Sequence, residues 1–319
     1  GVASLGRDVG CVYAANTLGT IAGAVAAGFV LLPSLGAQAS IATAAAANAV
    51  VGVVLIGAPC GPRSAWRRGA AVALAVGFAG GVWLVPRWDP RVMAGGVSIY
   101  LTRFAFASDP AGLFRDVAAS RQLLFYREGH NATIAVERSA QMTSLRVNGK
   151  VDASNGADMP TQYLLGHLPL LLHPQPERVL VIGLGSGVTA GAVSQHPDVR
   201  EIHVAELEPA VVEASAFFEV ENRRVLSDPR VRLRMGDARH TLLASRARYD
   251  VISSEPSNPW MAGVASLFTR DFYQLARRRL AEGGIMVQWV QGYNLFARDL
   301  RTVVRTFRGV FPHATLWRT

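Results

Sequence analysis

Two long stretches near the start of the chain carry no charged residue: 11–33 (CVYAANTLGTIAGAVAAGFVLLP) and 37–60 (AQASIATAAAANAVVGVVLIGAPC). At a rise of 1.5 Å per residue, each is long enough for an α-helix to cross ~30 Å of hydrocarbon. A third run, 69–86, is just long enough, so the pattern predicts three membrane-spanning helices within residues 1–86. Small residues dominate them, including Gly19 and Gly23 at four-residue spacing, and small residues let helix backbones approach closely in lipid.

The pattern then changes. Residues 87–120 read as a connector without strong periodicity. Between Gln122 and Ser154 apolar and polar positions alternate in LLFYREG, NATIAVER and TSLRVNGKV, with turn signals at Glu128-Gly129 and Asn148-Gly149. Such alternation predicts a small antiparallel sheet. Helical spacing follows from Thr161 to Leu172 and stops at His173-Pro174, so residues 121–176 form a small β-domain with a linking helix.

From 177 onward strands and helices take turns. Arg178–Ile182 (RVLVI) is the continuous apolar run of a strand buried on both faces. Further strands are expected at Glu201–Ala205, Val231–Met235, Asp250–Ser253 and Gly284–Trp289, with a sixth starting near Ala314, and helices at Pro209–Phe218 and Thr269–Leu280. Regular alternation of this kind predicts an α/β fold, a Rossmann-like (methyltransferase-type) doubly wound sheet over 177–319. The chain begins with Gly1 and stops inside the expected sixth strand, which reads as a domain truncated at its C-terminus.

Composition narrows the function. The two cysteines, Cys11 and Cys60, lie at the edges of apolar segments, which excludes a disulfide framework or cysteine-based zinc site in the later domains; no metal is expected. The net charge of +9 comes from arginines scattered along the chain. Nucleic-acid binding would call for a concentrated basic patch, so no nucleic-acid partner is expected; arginines near apolar spans meet anionic lipid headgroups instead.

The residues that carry chemistry sit at strand ends. Gly183-Leu184-Gly185-Ser186-Gly187 follows the first strand directly and precedes a helix, where glycines permit a tight turn and close approach of a ligand to the backbone. Glu206 closes the second strand, where a carboxylate can accept both hydroxyls of a ribose. Those two features fit a dinucleotide as well as an adenosyl cofactor. The third strand separates the readings, because it ends in Gly236-Asp237-Ala238: an aspartate there can accept from the adenine amine, although Asp237 could equally cap the following helix. Three such strand ends together point to S-adenosylmethionine or a close derivative. After the fourth strand, Glu255 in SSEPSNPW should project into the crevice beyond the strand ends, where a transferred group would lie. Trp260 and Tyr273 read as pocket lining.

With these motifs in place, residues 122–319 resemble the spermidine synthase (polyamine aminopropyltransferase) family. The matching stretches include NGKVDASNGADMPTQYLLGHLPLLLHP, RVLVIGLGSGVTAG, VAELEPAVVE, DPRVRLRMGDAR, YDVISSEPSNP and SLFTRDFYQLARRRLAEGGIMVQW, and YAANTLGTIAGAVAAGFVLLPSLG resembles the bacterial branch fused to membrane spans. The resemblance implies decarboxylated S-adenosylmethionine as aminopropyl donor and a small-molecule amine such as putrescine as acceptor. It places Gly183, Gly185, Ser186 and Gly187 against the donor, Glu206 on its ribose, and Asp237 with Ala238 on its adenine. Glu255 falls on the family's catalytic aspartate, while Gln162, Asp158 and Asn258 fall on the substrate side. The chain departs from the pattern where Ser186 and Asn258 replace family acids and where Tyr163 replaces a glutamate. Family likeness also allows a homodimer.

Three functions remain in view: a membrane-anchored aminopropyltransferase, an S-adenosylmethionine-dependent methyltransferase, and a transporter or sensor with a ligand-binding Rossmann domain. Polar Asn16 and Thr17 in the first span support the third. A multi-pass bacterial inner-membrane protein with a cytoplasmic catalytic domain is expected, because the cofactor is made in the cytosol. Arg63, Arg67 and Arg68 between the second and third spans argue for the opposite sidedness.

Overall fold

The computed structural model describes residues 2–57, 64–96, 99–100, 109, 112, 119–261, 263–293 and 295–318. Most of the expected connector, together with Cys60 and Arg63, lies outside them. The chain divides into two compact units, Gly1–Met93 with Glu128–His130, and Ala94–Arg127 with Asn131–Thr319.

In the first unit, helices Val2–Ala26 and Leu32–Gly57 are joined through a π-turn at Ala27–Leu31, and a third helix covers Ser64–Leu84. The break between the two expected spans falls on Gly36, whose φ of 77° leaves the helical region at little cost only because it has no Cβ. The Gln38 amide holds the chain after the third helix, donating to the Pro86 carbonyl at 2.9 Å and accepting from Trp88 N–H at 2.9 Å. Among the described residues one helical run, Leu5–Leu55, is long and apolar enough to cross a membrane, and its most apolar part is not buried. Gly69–Val82 is a shorter apolar helix. The first two expected spans thus meet at a kink at Gly36, where the backbone leaves the helical region, and the π-turn at Ala27–Leu31 lies inside the first of them.

The second unit holds two sheets. The small antiparallel one has the order β1–β2–β3–β4, with β1 Gln122–Glu128, β2 Thr133–Arg138, β3 Thr143–Val147 and β4 Lys150–Ser154. The Asn148-Gly149 turn has φ of 50° and 82°, the left-handed pair that a tight hairpin requires. A helix at Met159–Leu172 leads into the parallel sheet, whose order is β7–β6–β5–β8–β9. Its strands are β5 Arg178–Ile182, β6 Glu201–Glu206, β7 Val231–Met235, β8 Tyr249–Ser254 and β9 Leu280–Gln288.

Central β5 shows why the pattern reads so clearly. Successive side chains point to opposite faces, so Val179 and Val181 join one buried cluster with Ile134, Val136 and Val204, while Leu180 and Ile182 join another with Phe272, Tyr273 and Ile252. Both faces are covered, and no polar position is tolerated between Val179 and Ile182. Strand β9 begins four residues earlier than expected, Tyr249 pairing with Leu280 before an irregularity shifts the register to Val251–Ile285. The sixth strand expected near Ala314 does not form: residues 314–318 have no strand structure and Leu316 and Trp317 are exposed. A β-like run needs a neighbouring strand edge to complete its hydrogen bonds, and local pattern alone does not supply one.

Candidate functional site

In this strand order the chain reverses direction of growth at β5, flanked by β6 and β8, and the crevice beyond the carboxyl ends of the strands opens there. The glycine turn occupies it. Gly183, Gly185 and Gly187 have φ of 89°, 54° and 84°, all in the left-handed region. A Cβ on Gly183 would meet the Glu255 carbonyl at 2.8 Å, so the turn needs glycine there for space as well as for conformation.

Glu206 stitches the neighbouring tips together. Its carboxylate accepts from Leu184 N–H at 2.8 Å and from Glu208 N–H at 2.9 Å, and its backbone carbonyl accepts from Gly236 N–H at 2.8 Å. Burial raises its pKa while those backbone donors hold it back. Next to Gly236, exposed Asp237 caps the helix Ala238–Ala244, its Oδ1 accepting from Arg239 N–H at 2.7 Å and His240 N–H at 3.2 Å. The capping reading of Asp237 is thus realised, and buried Ala238 opens that helix. The residues expected to hold an adenosyl group therefore lie on three adjacent strand tips, bonded to one another.

Glu255 follows β8 and is fixed to the end of β5, where the glycine turn begins, by its N–H, which donates to the Ile182 carbonyl at 3.0 Å. Its Oε2 lies 2.5 Å from the Thr189 hydroxyl, which is also 3.1 Å from the Gln162 carbonyl. Thr189 has one proton for two acceptors. With Glu255 charged, one acceptor goes without; with Glu255 protonated, its own O–H can serve Thr189 and both are satisfied. Burial, with Asp158 and Asp152 as like-charged neighbours, pushes the Glu255 carboxyl up to about 7, against the Thr189 hydrogen bond that opposes the shift.

A buried chain of polar groups backs this acid. Gln162 donates to the Ser154 carbonyl at 3.0 Å and to Asp158 Oδ2 at 3.1 Å, and its Oε1 accepts from the Ser186 hydroxyl at 2.5 Å. Asp158 also accepts from Ser154 N–H at 2.7 Å and from the Ser154 hydroxyl. Gln162 and Ser186 are 3% and 1% exposed, so both act behind the crevice wall. Asn258 is set apart: it is 0% exposed, and neither amide atom has a hydrogen-bond partner. In this conformation Asn258 presents no surface to a ligand. Trp260 is partly exposed, whereas Tyr273 is a core residue against Phe272 and Phe307 and lines nothing.

Two residues were missed by pattern reasoning. Thr189 is the second residue of the helix after the glycine turn, a position where a hydroxyl carries no distinctive signal. Asp152 lies on β4 with Lys150, whose buried ammonium approaches Oδ1 at 2.5 Å, and it also accepts from the Ser257 hydroxyl at 2.8 Å. Alternation in K-V-D-A-S would have put Lys150, Asp152 and Ser154 on one face. Among the described residues no group of three or more His, Cys, Asp or Glu is arranged to hold a metal ion.

Residues 159–318 match the family model of the spermine/spermidine synthase domain. Similar proteins include the spermidine synthase of Dictyostelium discoideum, 30% identical over 169 residues (53% of this chain and 59% of the relative). The polyamine aminopropyltransferase of Bacillus subtilis is 31% identical over 176 residues, 54% of this chain and 62% of the relative. The chain thus spans about 60% of the length of the curated relatives it matches. Among solved structures, a spermidine synthase in complex with the transition-state analogue AdoDATO superposes with a TM-score of 0.56 at 22% identity, covering 60% of this chain and 66% of that one. The spermidine synthase of Thermotoga maritima gives 0.54 at 23% identity, covering 60% and 65%. A glycine turn, an acid on each of the next two strand tips and a buried glutamate beside them thus coincide with a family match across half the sequence, and the chain belongs to the spermine/spermidine synthase family.

Proposed function

We propose that the chain catalyses transfer of an aminopropyl group from decarboxylated S-adenosylmethionine to an amine such as putrescine, with Glu255 as the base. The observation that carries this reading is Glu255 itself, held against the glycine turn with its pKa near 7. Displacement at a carbon next to a sulfonium needs an unprotonated amine. A carboxylate that takes a proton near neutral pH suits that task and contributes ~10²–10⁴-fold. In this reading the backbone of Gly183, Gly185 and Gly187 lies along the donor, Glu206 uses its remaining acceptor capacity on the ribose hydroxyls, and Asp237 and Ala238 meet the adenine. Asp158 and Asp152 surround Glu255 with negative charge that favours a cationic acceptor, Gln162 holds Asp158 in place, and Asn258 reaches the acceptor only if its loop moves. The apolar run Leu5–Leu55 anchors the enzyme in a bacterial inner membrane, with the catalytic unit on the cytosolic side where the donor is made.

Incubation of the purified chain with decarboxylated donor and putrescine should release methylthioadenosine and spermidine. Absence of both products would overturn the reading. A second reading, methyl transfer from S-adenosylmethionine, is favoured by neutral Ser186 in the glycine turn, which opposes the donor's carboxylate less than an acid at that position would. Calorimetry with both donors separates them: tighter binding of the carboxylated form would favour methyl transfer.

A further inference from the structure

At the opposite end of the parallel sheet a second cavity, about 630 Å³ in volume, opens among the amino ends of the strands. Every strand contributes to its wall within two residues of its start: Arg178 of β5, Glu201 of β6, Arg232 of β7, Asp250 of β8 and Ala281 of β9. A strand of five residues at ~3.3 Å each separates it from the glycine turn by roughly 16 Å. Arg200, Arg230 and Arg248 complete a set of five guanidinium groups, against the three carboxylates of Glu177, Glu201 and Asp250.

The carboxylates are already engaged. Asp250 Oδ2 accepts from the backbone N–H groups of Glu177 and Arg178 at 2.9 and 2.8 Å. Glu201 is shared between Arg178 at 2.5 Å and His203 at 2.8 Å, and Glu177 meets Arg200 at 3.2 Å. Arg230 is bound by Asp228 from outside the cavity at 2.7 Å. Arg232 and Arg248 have no carboxylate partner among the described residues; Arg232 Nη1 donates to the Pro229 carbonyl at 3.0 Å, and Arg248 Nη1 to the carbonyls of Leu280 at 3.0 Å and Arg278 at 3.4 Å. A guanidinium has five N–H donors and cannot shed its charge, so both retain unspent donors and a full positive charge at the wall of a concave site.

We propose that this cavity is a second binding site, separate from the strand carboxyl ends, for a phosphate-bearing anion. Paired N–H groups of arginine match phosphate oxygens two at a time, and the cavity lies within the ~300–1,000 Å³ range of small-molecule sites. The phosphate can belong to a soluble polyphosphate compound or to a phospholipid headgroup; both present the same oxygens.

The test uses the full chain with two probes, inorganic tripolyphosphate and vesicles of phosphatidylglycerol, and compares the Arg232→Gln/Arg248→Gln variant with Arg270→Gln/Arg298→Gln. The second pair removes the same charge from exposed positions elsewhere. Saturable binding of at least one probe is expected, weakened about tenfold or more by the first variant, the loss that removal of charge-assisted hydrogen bonds produces, and about twofold or less by the second. Effects confined to tripolyphosphate identify a soluble ligand, and effects confined to vesicles a headgroup. No saturable binding of either probe, or equal weakening by both variants, overturns the proposal. Circular dichroism of the variants guards against misfolding, and Arg232→Lys/Arg248→Lys tests the paired geometry: it should restore charge without restoring full affinity.

Discussion

Around the carboxyl ends of the parallel strands Glu255 shares its surroundings with Asp158 and Asp152, and its side chain's hydrogen-bond donor among the described residues is a threonine hydroxyl with a competing acceptor. At the amino ends of the same strands the acids are matched: Arg178 with Glu201, Arg200 with Glu177, Arg230 with Asp228. The direction of the pKa shifts records the difference. Glu255 is pushed up, so its charged form is disfavoured, whereas Glu201 and Asp228 are pulled down, chiefly by hydrogen bonds from Arg178 and Arg230. One end keeps a proton ready to exchange near neutral pH. The other end spends its charges on holding the sheet together. The first arrangement costs stability and the second adds a little, a contrast expected where a site is tuned for chemistry.

The sharpest way to break the comparison is Glu255→Gln. On the proposed reading, transferase turnover should fall by ~10²–10⁴-fold, measured as methylthioadenosine release. The same change should raise the melting temperature at pH 8. A carboxyl whose folded pKa is about 7 and whose ordinary value is 4.5 binds its proton more tightly when folded. Its contribution to stability is therefore complete below about pH 4.5 and is lost as pH rises to about 7. Wild-type protein should lose stability across that interval, and the glutamine variant should lose less. Equal pH dependence in the two proteins would show that Glu255 is an ordinary, solvated carboxylate.

The amino end offers the next largest effect. Arg230 donates to the carbonyls of Ser194, His196 and Val199 as well as to Asp228, closing the loop between the helix Val188–Ser194 and β6. Arg230→Ala strands three partly buried carbonyls and should cost about 1–3 kcal/mol in denaturant unfolding. Turnover at the far end should change little, and a loss of turnover without a loss of stability would mean the two ends are not separable.

Thr189→Val acts more gently at the carboxyl end. Its hydroxyl donates a hydrogen bond that favours charged Glu255, so its removal should shift the rising limb of the pH–rate profile to higher pH with little change in the plateau. Thr189→Ser should restore the wild-type limb. A profile unmoved by the valine change would remove Thr189 from the site.

These residues differ in how plainly the chain announces them. Gly183, Gly185 and Gly187 are legible because a left-handed turn after an apolar strand admits few other residues, and Glu206 and Asp237 are legible because strand ends are countable. The β5 run is legible for the same reason that it is buried on both sides. Asp152, Thr189 and the enclosure of Asn258 are not, since each depends on which distant element lies opposite: β4 and the residue-257 loop for the first, Gln162 for the second. Likewise the expected strand near Ala314 failed because alternation in Ala314–Trp317 names a preference, while pairing is a tertiary event. The pairings of Arg178 with Glu201 and of Arg200 with Glu177 were equally hidden, because those residues are adjacent in the sheet and far apart in sequence.

The smallest effect is the most useful control. Arg200 meets Glu177 at 3.2 Å with side chains 75% and 40% exposed, the geometry of a solvated ion pair. Such pairs are worth about 0–1 kcal/mol, because the long side chain loses freedom and water screens the attraction. Arg200→Ala should therefore leave unfolding free energy nearly unchanged at moderate salt. Its effect on Arg230→Ala should be additive if the two arginines act alone, since neither donates to a partner of the other. A clear shortfall from additivity would mean that the arginines around the amino-end cavity form one coupled network, and the contrast would then lie between two cooperative ends of a sheet instead of one tuned end and one set of independent pairs.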